Sequence, residues 1–476
     1  MTTAHERISR REKIGYSLGD LGGNMAFQMM MIYQLKFYTD VFGLDGALAG
    51  TVLFLAPLLT AFVDPLVGIV TDRTRTRWGM YRPWVLWTSL PFCLFYVLAF
   101  YNPGIESKAL VALYATISYV LLLSVYSFNN TPYSSLGGVI TSNTKERTSI
   151  TSIRFVASTV AQFIVQGLTL PLVDHLGQGN AQRGWTATVL LFGLVAVTCF
   201  VVTFLSTRER ISPPPQQQSN IRKDVATTFG NKAWRIMFTL TLLLFVTLAM
   251  FGSSVNYYFQ NYLDPASLSA FLNRVGFQAT TSNAYSIGFS LFNTLNAVVQ
   301  LLGVLLLSGY LSDRLGKKTT YLVCLSLTAV LTAMHFVPSP DDVGAIYVLG
   351  MLKSLAYAPT IPLMWVMVAD VADYVEYQSQ RRATGFCFSG IVFALKMGLG
   401  LGGALTGVLL SAFGYISGDT AQQPTSAVVG IRLAVSIVPA LLFGLATLTI
   451  AFYPITTTVN NRMQNDLKKR RNAVVD

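Results

Sequence analysis

The chain has 476 residues, 52% of them hydrophobic, with a mean hydropathy of +0.50. Only 12% are charged, against about 25% in a soluble domain. So few charges cannot clothe a soluble surface, which excludes disorder, a coiled coil and an ordinary cytosolic enzyme. A net charge of +12 would suit nucleic acid, so the position of the cations has to be tested first.

The apolar runs are continuous, which predicts spanning helices and not the ten-residue alternation of a membrane barrel. In chain order, twelve spans are predicted near 15–42, 47–72, 82–102, 108–140, 149–176, 184–207, 233–262, 284–312, 318–337, 344–375, 384–413 and 427–454. The start, MTTAHERISRREK, is polar and lacks a cleavable signal pattern. The first span is therefore expected to direct insertion.

Odd-numbered loops are short, with Lys108, Arg183 and Arg274 as their clear cations. Even-numbered loops and both tails hold most of the rest. Examples are Arg7, Arg10, Arg11 and Lys13; Arg73, Arg75, Arg77 and Arg82; Arg314, Lys317 and Lys318; and Lys468 to Arg471. The positive-inside rule then puts both termini in the cytoplasm and explains the basic balance without nucleic acid. Cys93, Cys199, Cys324 and Cys387 all fall in apolar segments without zinc or disulfide spacing, and are read as packing.

Residues 208–232 are polar, proline-rich and basic, so they stay out of the bilayer and split the spans six and six. The expected organisation is an N-terminal six-helix bundle over 1–207, a cytoplasmic linker over 208–232, a C-terminal six-helix bundle over 233–454 and a basic, solvated cytoplasmic tail over 455–476. An insertion at 263–283, outside the membrane, carries SLSAFLNRVGF and predicts a short surface helix.

The halves read as repeats. Gly68-Ile-Val-Thr-Asp72-Arg73 follows span two, and Gly309-Tyr-Leu-Ser-Asp313-Arg314 follows span eight. Arg154 in span five and Lys396 in span eleven are spaced almost the same distance apart. This is the weak internal symmetry of parallel repeats. Small residues allow close helix approach. Asp72, Arg73, Asp313 and Arg314 are expected to make charge contacts at the cytoplasmic face that break and form during rocking.

Ionisable groups inside a bilayer are costly and mark pathways. Span one carries Asp20 and Asn24, one helical turn apart and so on one face. Span two carries Thr60 and Asp64 in the same relation. Span four carries Tyr126, Asn130 and Ser134 on one stripe, with Ser127 and Asn129 beside it. Span five carries Arg154, and span eleven Lys396. Span ten ends in Asp370, Asp373 and Glu376, read as partners of Arg381 and Arg382 in gate salt bridges. Hydroxyls, amides, one guanidinium and aromatic rings suit a polyhydroxylated ligand in a wet central cavity. Asp64 is a candidate sodium or proton site, with Thr60 and Ser127 as further oxygen donors and Lys396 as counter-charge. Arg154 is read as a ligand or coupling group, or as the partner of Asp20 or Asp64. Asn129 is read as helix glue, Lys36 as snorkelling to the interface and His335 as non-functional. No nucleotide loop, metal spacing or nucleophile constellation is present in the sequence, so no enzyme and no cofactor are expected.

Several stretches carry a resemblance. They are Gly15-Tyr-Ser-Leu-Gly-Asp20, Phe37-Tyr-Thr-Asp40, Asp64-Pro65, Asp72-Arg73 through Arg77-Trp-Gly79, Arg82-Pro-Trp84, Asn130-Thr-Pro-Tyr133, Ala369-Asp370-Val-Ala-Asp373-Tyr374 and Ile431-Arg432. In this order, over nearly the whole chain, the sequence resembles the glycoside–pentoside–hexuronide:cation symporter family of the major facilitator superfamily. The resemblance implies an all-α membrane fold of two pseudo-symmetric six-helix bundles. Asn24 and Asn130 fall where the melibiose-carrying member has sugar-binding Asp. Arg154 and Tyr126 match its sugar-site Arg and Tyr, and Ser134 stands at its stacking Trp. Asp64 matches one cation-site Asp, Thr60 replaces the other, Ser127 stands at a cation-site Thr, and Lys396 matches a Lys near both sites.

The departures put a galactoside held between two carboxylates in doubt. They favour an anionic or larger glycoside beside Arg154, and proton over sodium coupling at a lone Asp. The expectation is a sugar or glycoside symporter of the cell membrane (the inner membrane, if bacterial), monomeric by family habit, with lipid its other partner. A carrier of amphiphiles on the same fold and a transport-inactive sugar sensor are the rival readings.

Overall fold

The computed structural model describes residues 8–60, 63, 66–67, 70–71, 74–141, 144–210, 228–379, 384–418 and 422–472. Among them the protein is all helical apart from one isolated bridge, Thr76 with Gly79. Among the described residues, eight helical stretches are long and apolar enough to cross a membrane.

The chain begins with α1 (Arg10–Ile32), where the Ser9 hydroxyl accepts from the Glu12 amide and Glu12 lies in the first turn. Both features answer the unpaired N–H groups and the positive end of the helix. One more turn, Gln34–Lys36, leads into a π-helical segment, Phe37–Val41. Then come α2 (Gly46–Thr60), α3 (Arg82–Trp87), α4 (Ser89–Ala99), α5 (Lys108–Val139), α6 (Thr144–Gly177) and α7 (Ala181–Ser206). The second half holds α8 (Lys232–Asn261), α9 (Pro265–Arg274), α10 (Ala284–Leu315), α11 (Lys317–Met334), α12 (Val343–Tyr357), α13 (Thr360–Ser379), α14 (Thr384–Ala412), α15 (Thr425–Val435), α16 (Ile437–Ala451) and α17 (Thr457–Asn472).

Predicted span ten is two helices, because Pro359 follows the end of α12 and cannot donate to the ladder. Predicted span three is likewise split, at Thr88. The surface helix expected in the insertion is α9. Asp264 caps it by accepting from the Ser267 amide at 2.7 Å, Pro265 opens it, and Leu268 and Leu272 are buried. The tail forms α17, whose Met463 is fully buried and which packs against α13.

The chain divides into two compact units. Unit one comprises Met1–Pro215, Ser282–Thr294 and Leu410–Pro424. An aromatic cluster fills part of its core: Phe37 lies 4.8 Å from Phe42 and 5.1 Å from Phe100, which stacks on Trp185. Its start and end are tied together. Glu12 takes both guanidinium nitrogens of Arg210, at 2.7 and 2.9 Å, and also the Arg208 amide. Glu209 accepts the amides of Met80, Tyr81 and Arg82, at 2.8, 2.8 and 2.9 Å. Those donors are the free N–H groups at the start of α3. The turn before them needs Gly79: its φ is +115°, and a Cβ there would fall on the Glu209 carboxylate.

Unit two comprises Gln216–Thr281, Leu295–Leu409 and Thr425–Asp476. Its core gathers Trp234, Met237, Leu240, Tyr321, Met367 and Phe443. The buried Trp234 indole donates to the Cys387 carbonyl at 3.2 Å, so its one polar atom is satisfied.

Candidate substrate site

Unit one carries a polar face built from three helices. On α1, Asp20, Asn24 and Gln28 follow one another at single-turn spacing, so all three project to one side. On α6 the same spacing aligns Arg154, Ser158, Gln162 and Gln166. On α5 it aligns Tyr126, Asn130 and Ser134. None of these side chains could face lipid cheaply.

The stripes meet at named contacts. Arg154 grips Asp20 with two parallel bonds, Nε to Oδ2 and Nη2 to Oδ1, both 3.1 Å. This fork-to-fork geometry is the strongest a guanidinium makes. The guanidinium also lies 5.5 Å from the Tyr16 ring and 4.9 Å from the Tyr133 ring. The two rings stack at 4.7 Å, and each phenol donates to the other residue's carbonyl, at 3.0 and 2.8 Å. A Cβ at Gly19 would strike the Tyr133 ring, so a side chain there would force the clasp apart. Farther along, the Gln166 amide donates to Gln28 at 3.5 Å, and Phe27 stacks on Tyr126 at 6.5 Å.

Of the predicted sugar-site residues, Asn24, Tyr126, Asn130, Ser134 and Arg154 lie in unit one and Lys396 in unit two, and their bonding differs. Asn24 donates its amide to the Asp20 carbonyl at 2.8 Å and keeps its side-chain oxygen. Among the described residues, Asn130 and Ser134 have no hydrogen-bond partner, and Ser134 is exposed. Arg154 pairs with Asp20, one of the two partners considered from sequence, and so brings no net charge to the face. Asn129 is buried and donates to Thr88 Oγ1 at 2.8 Å, which makes it a helix–helix tie.

The cation residues are less fully described. Asp64, Asp72 and Arg73 lie outside the described residues. Thr60 is buried and donates its hydroxyl to the Ala56 and Pro57 carbonyls, both at 3.1 Å, leaving only lone pairs for an ion. Ser127 is buried and engaged by neighbours, and Lys396 is engaged and partly buried.

One charge reading changes. Lys36 does not reach for water: its side chain is 5% exposed, and it pairs with Asp40 at 2.7 Å. Asp40 also accepts from Thr39 at 2.9 Å and from the Tyr415 phenol at 3.2 Å. A turn of helix brings Lys36 and Asp40 together, so pairing costs less than stretching a long side chain to the interface. Asp370 pairs with Lys317 at 2.6 Å. Arg381 and Arg382, the partners expected from sequence, lie outside the described residues. Asp313 and Arg314 are exposed, and the Arg314 guanidinium lies 4.5 Å from the Tyr310 ring.

Sequence reasoning passed over Tyr16, Tyr133, Gln28, Gln166 and Lys353. The stripes on α1 and α6 were visible as single-turn spacing. The tyrosine clasp was not, because it joins residues 117 positions apart.

Known proteins agree with this architecture. The family described as MFS/sugar transport protein matches residues 15–457. A putative glycoside/cation symporter, YagG of Escherichia coli (strain K12), is 32% identical over 98% of this chain and 96% of its own length. The inner membrane symporter YicJ of the same organism is 35% identical, over 96% and 94%. The isoprimeverose transporter of Lactiplantibacillus pentosus is 30% identical, over 98% and 93%. Among solved structures, a D-xylose-proton symporter shares the fold, with a TM-score of 0.63 at 14% identity over 93% of this chain and 97% of that one. The chain belongs to the MFS/sugar transport family, in its glycoside–pentoside–hexuronide:cation symporter branch, and is a multi-pass membrane transporter, not an enzyme.

Proposed function

We propose that the protein imports a sugar or glycoside together with a cation by alternating access of two six-helix bundles, residues 1–207 and 233–454. The observation that carries this reading is the polar face of unit one. Its Asn130 amide and Ser134 hydroxyl have no protein partner among the described residues, and the Phe27 and Tyr126 rings lie alongside. A sugar needs many neutral hydrogen bonds and a ring to lie on. Asn24, Tyr126, Asn130 and Ser134 supply them directly. Arg154, neutralised by Asp20, donates through its remaining N–H groups, with Lys396 as a further donor. The names of the relatives, a glycoside/cation symporter and an isoprimeverose transporter, support the same substrate class.

Proton coupling is favoured over sodium. By the resemblance, Asp64 is the one cation-site carboxylate retained, with Thr60 and Ser127 as neutral neighbours and Lys396 nearby. Sodium prefers several charged oxygens; a lone carboxylate in apolar surroundings holds a proton instead. Asp72, Arg73, Asp313, Arg314, Asp370 and Asp373 serve as gate charges on the cytoplasmic side, where both termini lie. Coupling requires each facing state to bind sugar and cation with different affinity.

Proteoliposome uptake tests this. Asp64→Asn is expected to abolish accumulation against a gradient while sugar exchange across the membrane continues. Undiminished accumulation in that variant would remove Asp64 from the coupling step. A sodium gradient that drives uptake at constant pH would replace the proton.

A further inference from the structure

Unit two contains a lysine that its own carboxylates do not answer. Lys353 sits within the apolar span Val343–Ser379. On α12 it shares the side of Ile346 and Tyr357, both buried, and lies away from Val348 and Leu352, which are exposed. Among the described residues it has neither an ion pair nor a hydrogen bond. Its ammonium rests on the face of Phe251, 2.8 Å from the ring centroid. His335 meets the same ring edge-on at 6.0 Å. That imidazole is 1% exposed and bonded through Nδ1 to the Leu331 carbonyl, and its Nε2 has no partner among the described residues.

Arg432, the other embedded cation without a carboxylate among the described residues, donates to the Phe336 carbonyl and lies over the Tyr262 and Phe336 rings; the rest are paired or engaged. Arg154 has Asp20, Lys36 has Asp40, and Lys317 has Asp370. Lys396 is engaged by neighbours. An ammonium taken from water with no anion beside it is strongly unfavourable. A ring face offsets part of that cost, and an arriving anion would offset much more.

Unit one contains a counterpart. There Tyr126, on α5, meets Phe27 of α1 at 6.5 Å and Phe92 of α4 at 6.3 Å. In unit two Lys353, Phe251 and His335 come from the fourth, first and third spans of that half, the same three in order. Where one half has a phenol, the other has a charge.

We propose that Lys353 sets specificity for charge: it takes the carboxylate of an anionic glycoside, a hexuronide. Lys353 is partly exposed. The inference rests on the sugar-symporter reading and moves the charge recognition expected of Arg154 to the other half of the chain.

The test compares uptake of methyl β-D-glucuronide and methyl β-D-glucoside, which differ at C6 only, with methyl β-D-xyloside as a third probe, by the full chain in proteoliposomes. Wild type is expected to prefer the glucuronide by about tenfold or more. Lys353→Gln is expected to lose that preference and keep uptake of the neutral sugars within about threefold of wild type, while Lys353→Arg retains it. If Lys353→Gln folds poorly, Lys353→Met, which also removes the charge and keeps the length of the side chain, is compared with wild type in the same way. A preference for neutral sugars in wild type, or an unchanged ratio in Lys353→Gln, overturns the assignment and leaves sugar symport standing. Uptake of none of the three overturns both.

Discussion

The two units handle their embedded charges in opposite ways. In unit one, Arg154 and Lys36 each hold a carboxylate at hydrogen-bond distance, Arg154 through two parallel hydrogen bonds. In unit two, Lys317 is paired near the start of its helix, and Lys353 lies against an aromatic ring. A repeated fold thus carries an unrepeated charge plan. Helix positions are inherited by both halves, and side-chain chemistry is then free to separate binding by neutral hydrogen bonds from binding by charge.

The sharpest way to break that contrast is to remove a carboxylate from unit one. Asp40→Asn leaves the Lys36 ammonium enclosed without its partner, and should cost about 3–5 kcal/mol of stability. Asp20→Asn should act in the same direction with a smaller effect, since Asp20 is 15% exposed against 3% for Asp40. Thermal unfolding in detergent should rank Asp40→Asn below Asp20→Asn and both below wild type. The double change Asp20→Asn with Arg154→Gln should regain stability without regaining transport. If it regains both, the pair is only structural.

A milder change sharpens the comparison from the other side. Asp370→Asn removes a pair whose lysine is one-third exposed, so water screens most of the gain, and about 1 kcal/mol is expected. A loss as large as that of Asp40→Asn would show that unit two also depends on buried ion pairs.

Much of this was legible from the amino-acid order, and the parts that were not share a cause. Span positions follow from continuous apolar runs, and the break after Tyr357 follows from Pro359. The π-helical turn at Phe37–Val41 does not, because it depends on Phe37, Phe42, Phe100 and Trp185 packing together across distant sequence. Asn24, Asn130 and Arg154 could be picked out as polar groups in apolar helices. That Asp20 would take both Arg154 bonds, and that Lys36 would stay inside, were settled by neighbours in space. Lys353 was plain in the sequence and was passed over because its span was read for its acidic end.

The smallest effect concerns α9. The Ser267 amide and hydroxyl hold the Asp264 carboxyl below its usual range. A depressed carboxylate stabilises above the unfolded pKa and loses that contribution as pH falls through the folded one. Hydrogen exchange should therefore show α9 loosening below about pH 4 before the spanning helices do. Asp264→Ala should abolish that pH dependence while leaving sugar uptake unchanged.

The tie between Glu209 and the amides of Met80, Tyr81 and Arg82 also bears on protein engineering. It extends the N-terminal half three residues past the end of α7, so a split into two co-expressed fragments belongs after Arg210. Cutting at Ser206 would strip α3 of its cap and leave Glu12 without its arginine, yielding a fragment that reassembles poorly for reasons unrelated to transport.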